Sequence, residues 1–218
     1  MPPELRCPRC LRPAHPPGWR SPRWRCDLHG EVAPLHPARV LDDAQLRDLG
    51  TNSEVPVWLP WPLPTDWVVT GVQRAGDERD GTVGSVLALT GPNPFRASSH
   101  DPLAAEMLVI AEQPGVGLAS RLAGVGDIDP GPALTAAMSA SSPHASVDAE
   151  GHAVPLWSLD GAADRAAYVG EAASVWLWLV VLPAAAGAMA LDGLRLVDLR
   201  DPGHPLDVPA GALTPLLE

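Results

Sequence analysis

The sequence predicts an α+β chain in which a small cysteine-centred N-terminal unit precedes a mostly antiparallel, β-rich domain with few short helices. Three observations predict it. All three Cys lie within the first 26 of 218 residues. From residue 55 onward, short apolar or β-branched runs recur between turns that contain Gly or Pro. In that region Gly117–Leu122 alone carries a good helix signal.

The N-terminal unit covers residues 1–35, and its spacing is Cys7-x2-Cys10-x15-Cys26-x2-His29. Each x2 pair makes one knuckle that supplies two ligands from a tight turn. The insert between the pairs is long enough for a hairpin that returns the second knuckle to the first. Three thiolates and an imidazole then close a tetrahedron with no open position, which predicts a zinc ribbon holding one structural Zn²⁺. Gly30 suits the second knuckle, because a residue without Cβ lets backbone N–H groups turn toward the ligands. The first knuckle has Leu11 where Gly is common. His15 and His36 are alternative fourth ligands, but neither shares a knuckle with a Cys. A unit this small cannot bury a sufficient core alone, so the metal is its staple. An odd number of thiols at metal spacing points to a reducing compartment, and MPPELRCPRC has no apolar signal segment. The expected location is the cytoplasm.

Residues 36–54 read as a short helix and linker. Asp42 or Asp43 can cap the helix, Ala44, Leu46 and Leu49 give it a face, and Gly50 can close it before the polar Thr51–Glu54. The body, residues 55–218, opens with PVWLPWPLPTDW, in which four Pro enforce an extended path and Trp58, Trp61 and Trp67 pin it to the core. Strands are expected at 67–72, 82–90, 107–111, 145–149, 153–159, 175–182 and 194–199, with a hairpin at DAEG (148–151). Residues 98–102 and 124–143 read as loops. Ala172–Leu191 contains no charge over twenty residues, the length of a membrane span. Pro183 and Gly187 interrupt it, and its dense Trp- and Val-rich part suits a buried strand, so no membrane association is expected.

The net charge of −11 is unevenly spread. Residues 1–30 carry six Arg against Glu4 and Asp27, whereas the remainder carries nine Arg against 24 acids. A basic head on an acidic body repels polyanions everywhere except at the head. There WRSPRWR (19–25) interleaves Trp19 and Trp24 with Arg20, Arg23 and Arg25, residue types that stack on bases and pair with phosphates. The same residues equally suit contact with a protein or with the acidic body, and the body's field disfavours nucleic acid.

The chain has no Lys. That excludes a Walker A loop, a Schiff base and a kinase-type nucleotide lysine. With all three thiols committed to metal, no Cys nucleophile is left. His144, Ser146, Asp148, Glu150 and His152 share even parity, which in an unbroken strand would make one polar row. The DAEG turn is expected to break it into an exposed hairpin face. Glu106, Glu112 and Glu171 beside apolar runs read as strand edges.

CPRC…WRCDLHG, PVWLPWPLPTDWVVTGV, MLVIAEQPGVGLASRLAG, VPLW, VWLWLVVLP and LVDLRDPG together resemble an uncharacterised family of high-GC bacterial proteins. The resemblance implies that ribbon and body form one unit, and it brings no activity. The function expected from the sequence is a non-enzymatic binding or regulatory module with a protein partner. The rivals are nucleic-acid binding through the Arg/Trp face and a hydrolase-like enzyme using His, Asp and Glu of the body.

Overall fold

The computed structural model describes residues 4–19, 21–126, 129–201 and 208–217. A two-stranded hairpin comes first, in which β1 (Arg25–Cys26) pairs antiparallel with β2 (Gly30–Glu31). Helix α1 (Asp43–Asn52) follows, with Asp42 as N-cap accepting the Gln45 N–H at 2.8 Å. It runs through Gly50 instead of stopping there, and Ser53 closes it by donating its N–H to the Leu49 carbonyl. Leu49 is buried.

Among the described residues, nine strands form the body: β3 (Trp58–Pro60), β4 (Val68–Asp77), β5 (Gly81–Pro92), β6 (Ala104–Glu112), β7 (Ala145–Ala149), β8 (His152–Leu159), β9 (Ala166–Ala172), β10 (Val175–Leu182) and β11 (Arg195–Asp198). Their spatial order is β3-β11-β7-β8-β9-β10-β6-β5-β4. All neighbours are antiparallel except β7 and β11. The domain is mostly β, and its sheet curls. Alternation within the central strands builds one core on each face. Leu87 and Leu89, Met107 and Val109, and Leu177 and Leu179 face one core, which Trp58, Leu59, Leu196 and Val197 also enter. Val86, Leu108, Ile110, Trp178 and Val180 face the other, beneath helix α2 (Leu118–Ala123), Leu35 and Leu217. Strands buried on both faces read as unbroken apolar runs, which is why VWLWLVVL looked like the middle of a span. No helix among the described residues is long and apolar enough to cross a membrane.

The sequence reading missed a helix and a strand of the body. The expected loop over 124–143 contains α3 (Gly131–Ala140). Pro132 sits in its first turn, where a missing N–H costs nothing, and Ala at 133, 136 and 137 favours helix. Only Leu134 of this helix is buried, so the apolar periodicity that announces most helices is weak. Strand β9 (AAYVGEA) has small side chains and an interior Gly, and its extended form comes from pairing with β8 and β10. Gly170 stands there because an added Cβ would lie 2.3 Å from the Pro155 carbonyl oxygen. The expected hairpin at DAEG is present: Glu150 (φ 52°) and Gly151 (φ 82°) join Ala149 to His152 in a tight two-residue turn.

The outer edge of β4 is covered twice. Residues 34–39 run along it, with Arg39 and Val72 exchanging N–H···O bonds of 2.9 and 2.8 Å and His36 N–H reaching the Arg74 carbonyl at 2.9 Å. The C-terminal segment adds bonds from Val69 N–H to the Pro209 carbonyl and from Gly211 N–H to the Val69 carbonyl. Covering an edge in this way removes a template for aggregation.

Gly91 gives the packing a direct test. A Cβ there would stand 2.3 Å from the buried Trp67 ring. Gly91→Ala should therefore cost about 1–3 kcal/mol in urea unfolding by overpacking. Gly126→Ala, with open space at its Cβ, should stay within about 0.5 kcal/mol of the parent. Equal effects at the two positions would contradict the packing described.

Candidate metal centre

The two knuckles are built alike. Leu11 and Gly30, each one residue after a ligand pair, both have left-handed backbone, with φ of 60° and 68°. That conformation aims consecutive N–H groups at sulfur. The Arg9 and Cys10 N–H groups bond to Cys7, and those of Leu28 and His29 bond to Cys26. Leu11 bears the strain that a Gly would avoid, and its side chain packs against the core under α2.

The knuckles converge. The ligand atoms of Cys7, Cys10, Cys26 and His29 all lie within 4.8 Å of one another, a group that could hold a metal ion. Cys7 Sγ is 3.4 Å and Cys26 Sγ 3.8 Å from His29 Nδ1, and Cys10 Sγ is 3.7 Å from Cys26 Sγ. Burial pushes the Cys7 thiol up to about 12 against the pull of its two N–H bonds. Burial also opposes ionisation of Cys26, but bonds from Leu28, His29, Cys10 and Cys7 outweigh it and lower its pKa. A cation held there would supply the charge that lets both act as thiolates. His15 and His36 are engaged elsewhere: His15 Nε2 is 3.3 Å from Asp27, and His36 Nε2 is 2.9 Å from the Gly76 carbonyl.

Around the ligands, Cys7, Ala14, Cys26 and Val32 form the ribbon's small buried apolar cluster, with Cys10 and Trp24 packed alongside. Besides Leu11 and Leu35, which pack into the core under α2, its hold on the body is polar. Arg6 and Leu35 exchange backbone bonds of 3.0 and 2.7 Å. Arg9 donates Nε to the Val116 carbonyl at 3.2 Å and Nη2 to that of Gly115. From the body, Arg121 on α2 donates Nε to the Pro8 carbonyl at 2.7 Å, inside the first knuckle. Burial lowers its pKa, and the neighbouring Cys7 partly restores it.

Of the Arg/Trp face, Arg23 pairs with Asp80 of the body and lies 3.9 Å from Glu31. Trp19 is 90 % exposed at the ribbon's hairpin tip, where Gly18 and Ser21 exchange backbone bonds. Arg25 is exposed, and Arg20 lies outside the described residues.

The even-parity row of the body does not converge. Asp148 accepts the Gly151 N–H at 2.6 Å, Glu150 accepts the Asp198 N–H at 2.7 Å, and His144 Nδ1 accepts the Ser158 N–H at 3.1 Å. Among the described residues, the ribbon cluster is the one His/Cys/Asp/Glu group tight enough for a metal.

Glu112 is not the strand-edge residue expected. It is 1 % exposed and accepts the Leu118 and Ala119 N–H groups at 2.8 and 3.2 Å, tying β6 to the start of α2. Burial raises its pKa to about 7 against those two bonds, with Asp129 adding to the rise and Arg9 opposing it. The folded state thus holds a proton that the unfolded state has released between about 4.5 and 7. Stability from this group is full below that window and lost as pH rises through it, on the order of 3 kcal/mol. Glu112→Gln keeps the acceptor and removes the charge. The variant's stability relative to the parent should therefore climb across this window in urea titrations. A difference independent of pH would contradict the assignment.

A family model described as a family of unknown function, DUF6758, matches residues 1–217. No curated protein and no solved structure matches the chain. The match takes in the ribbon, the β4 edge segment and every strand of the sheet, and the chain belongs to that family.

Proposed function

We propose that this chain is a non-enzymatic binding module in which a structural Zn²⁺ fixes an N-terminal ribbon on a β-rich body and the ribbon's tip engages a protein partner. The observation that carries the reading is the geometry of the four ligands. Zn–S bonds of about 2.3 Å and Zn–N bonds of about 2.0 Å in a tetrahedron make edges of roughly 3.5–3.8 Å. Three of the six separations, 3.4, 3.7 and 3.8 Å, lie near those edges, and all six are within 4.8 Å. Four protein ligands fill the coordination sphere, so the ion supplies folding energy rather than a reactive position. His29 would bind through Nδ1.

Protein is favoured over nucleic acid by how the Arg face is used. Arg23 is engaged with Asp80 and Arg9 with two body carbonyls, which leaves fewer cations for a phosphate backbone. An indole 90 % exposed is the kind of anchor that dominates protein interfaces. His144, Asp148 and Glu150 of the body are spent on turns and strand joints, which supports a role without catalysis. A cytoplasmic setting fits three reduced thiols.

Purified protein should contain close to one Zn²⁺ per chain, and Cys26→Ser should lose it. Captures from native lysate should retain a protein partner after nuclease treatment, and both Cys26→Ser and Trp19→Ala should weaken the capture. Metal near zero in reduced, zinc-replete protein would overturn the zinc assignment. Capture that depends on nucleic acid would move the assignment to the Arg/Trp face as a nucleic-acid surface.

A further inference from the structure

A cavity of about 410 Å³ opens where the first ribbon segment, residues 35–38 and the C-terminal segment meet on β4. Its apolar wall is formed by Leu11, Leu35, Ala38, Leu213 and Leu217. Gly71 makes room for that wall, since a Cβ there would lie 2.7 Å from Leu213 and 3.2 Å from Leu217.

One polar group in the lining is out of balance. Gln73 is 6 % exposed, and its Nε2 donates to the His36 carbonyl at 2.9 Å and to the Leu217 carbonyl at 3.2 Å. Two carbonyl acceptors on that side fix the amide's orientation, because a flipped amide would set oxygen against oxygen. Oε1 is then a fully buried acceptor with no partner, which a donor in the cavity reaches only as the lining gives way. Such a group costs free energy until a donor reaches it. At the rim, Arg6 is exposed and makes no side-chain hydrogen bond or ion pair among the described residues. Glu4 shares the rim.

We propose that this cavity is a binding site for a small amphipathic acid: an apolar body against the leucines, an N–H or O–H donor for Gln73 Oε1, and an anionic head at Arg6. The volume is within the range of pockets that bury small ligands. The site lies on the β4 edge, touching the first knuckle through Leu11 but away from the ribbon tip, and it does not depend on the proposed protein partner.

Two probes of similar size separate the parts. Indole-3-acetate carries the ring N–H and naphthalene-1-acetate lacks it. Titrated into ¹⁵N-labelled, zinc-loaded full-length chain, both should shift the Leu11, Leu35 and Leu217 amides saturably, with Kd near or below about 1 mM. Gln73→Leu should reduce the indole acid's preference over the naphthalene acid by roughly fivefold, the worth of one ordinary hydrogen bond. Arg6→Gln should weaken both acids alike, and Glu4→Gln should tighten both. Leu213→Trp fills the cavity with Gln73 in place and should abolish binding, which keeps the test decisive if Gln73→Leu does not fold. Absence of saturable shifts, binding that survives Leu213→Trp, or an unchanged preference in a folded Gln73→Leu would each overturn the proposal.

Discussion

Four side chains from two turns, separated by fifteen residues, must meet within a few ångström for the N-terminal unit to have a shape at all. The ribbon's own apolar cluster holds four buried residues, far too little apolar surface to offset the chain entropy of thirty. Ligand convergence therefore sets the path of the backbone, and that path sets everything the ribbon offers to the body. The first knuckle holds the Pro8 carbonyl where Arg121 can reach it and places Arg9 over the Gly115 and Val116 carbonyls. Without converged knuckles these three contacts have no fixed geometry.

Electrostatics gives the same junction its direction. A basic head and an acidic body attract each other within one chain, and the pairing of Arg23 with Asp80 is where that attraction becomes a contact. An exposed pair of this kind contributes little stability, on the order of 0–1 kcal/mol. Its importance lies in orientation and in occupying a cation otherwise open to a polyanion. The continuous N–H···O contacts of residues 34–39 with β4 then carry the ribbon's frame into the sheet. The same edge, with the C-terminal segment beside it, encloses the cavity around Gln73.

The convergence of Cys7, Cys10, Cys26 and His29 was legible because two x2 pairs are among the most specific patterns a sequence can carry. The hairpin at 148–151 and strands 145–149 and 175–182 were legible for a similar reason, since turn chemistry and dense β-branched runs act locally. α3 was not legible: its one buried side chain, Leu134, leaves no apolar stripe to detect. β9 owes its form to two neighbours rather than to its own small residues. Glu112 looked like an edge residue because sequence shows its apolar flank but not the α2 N–H groups that draw it inside. Nothing in the sequence marked Gln73 either, as its half-satisfied amide exists only once residues 36 and 217 arrive beside it.

The central claim is that a metal-held ribbon is docked on a body whose own core does not need the metal. Amide hydrogen exchange on the full chain, before and after removal of zinc with a strong chelator under reducing conditions, tests it most directly. The account predicts that chelation strips protection from residues 5–32 and loosens the 113–121 segment that receives Arg9 and carries Arg121. Strands β5, β6 and β10, buried on both faces, should keep their protection. Unchanged protection across the ribbon, or loss of protection throughout the sheet, would contradict it.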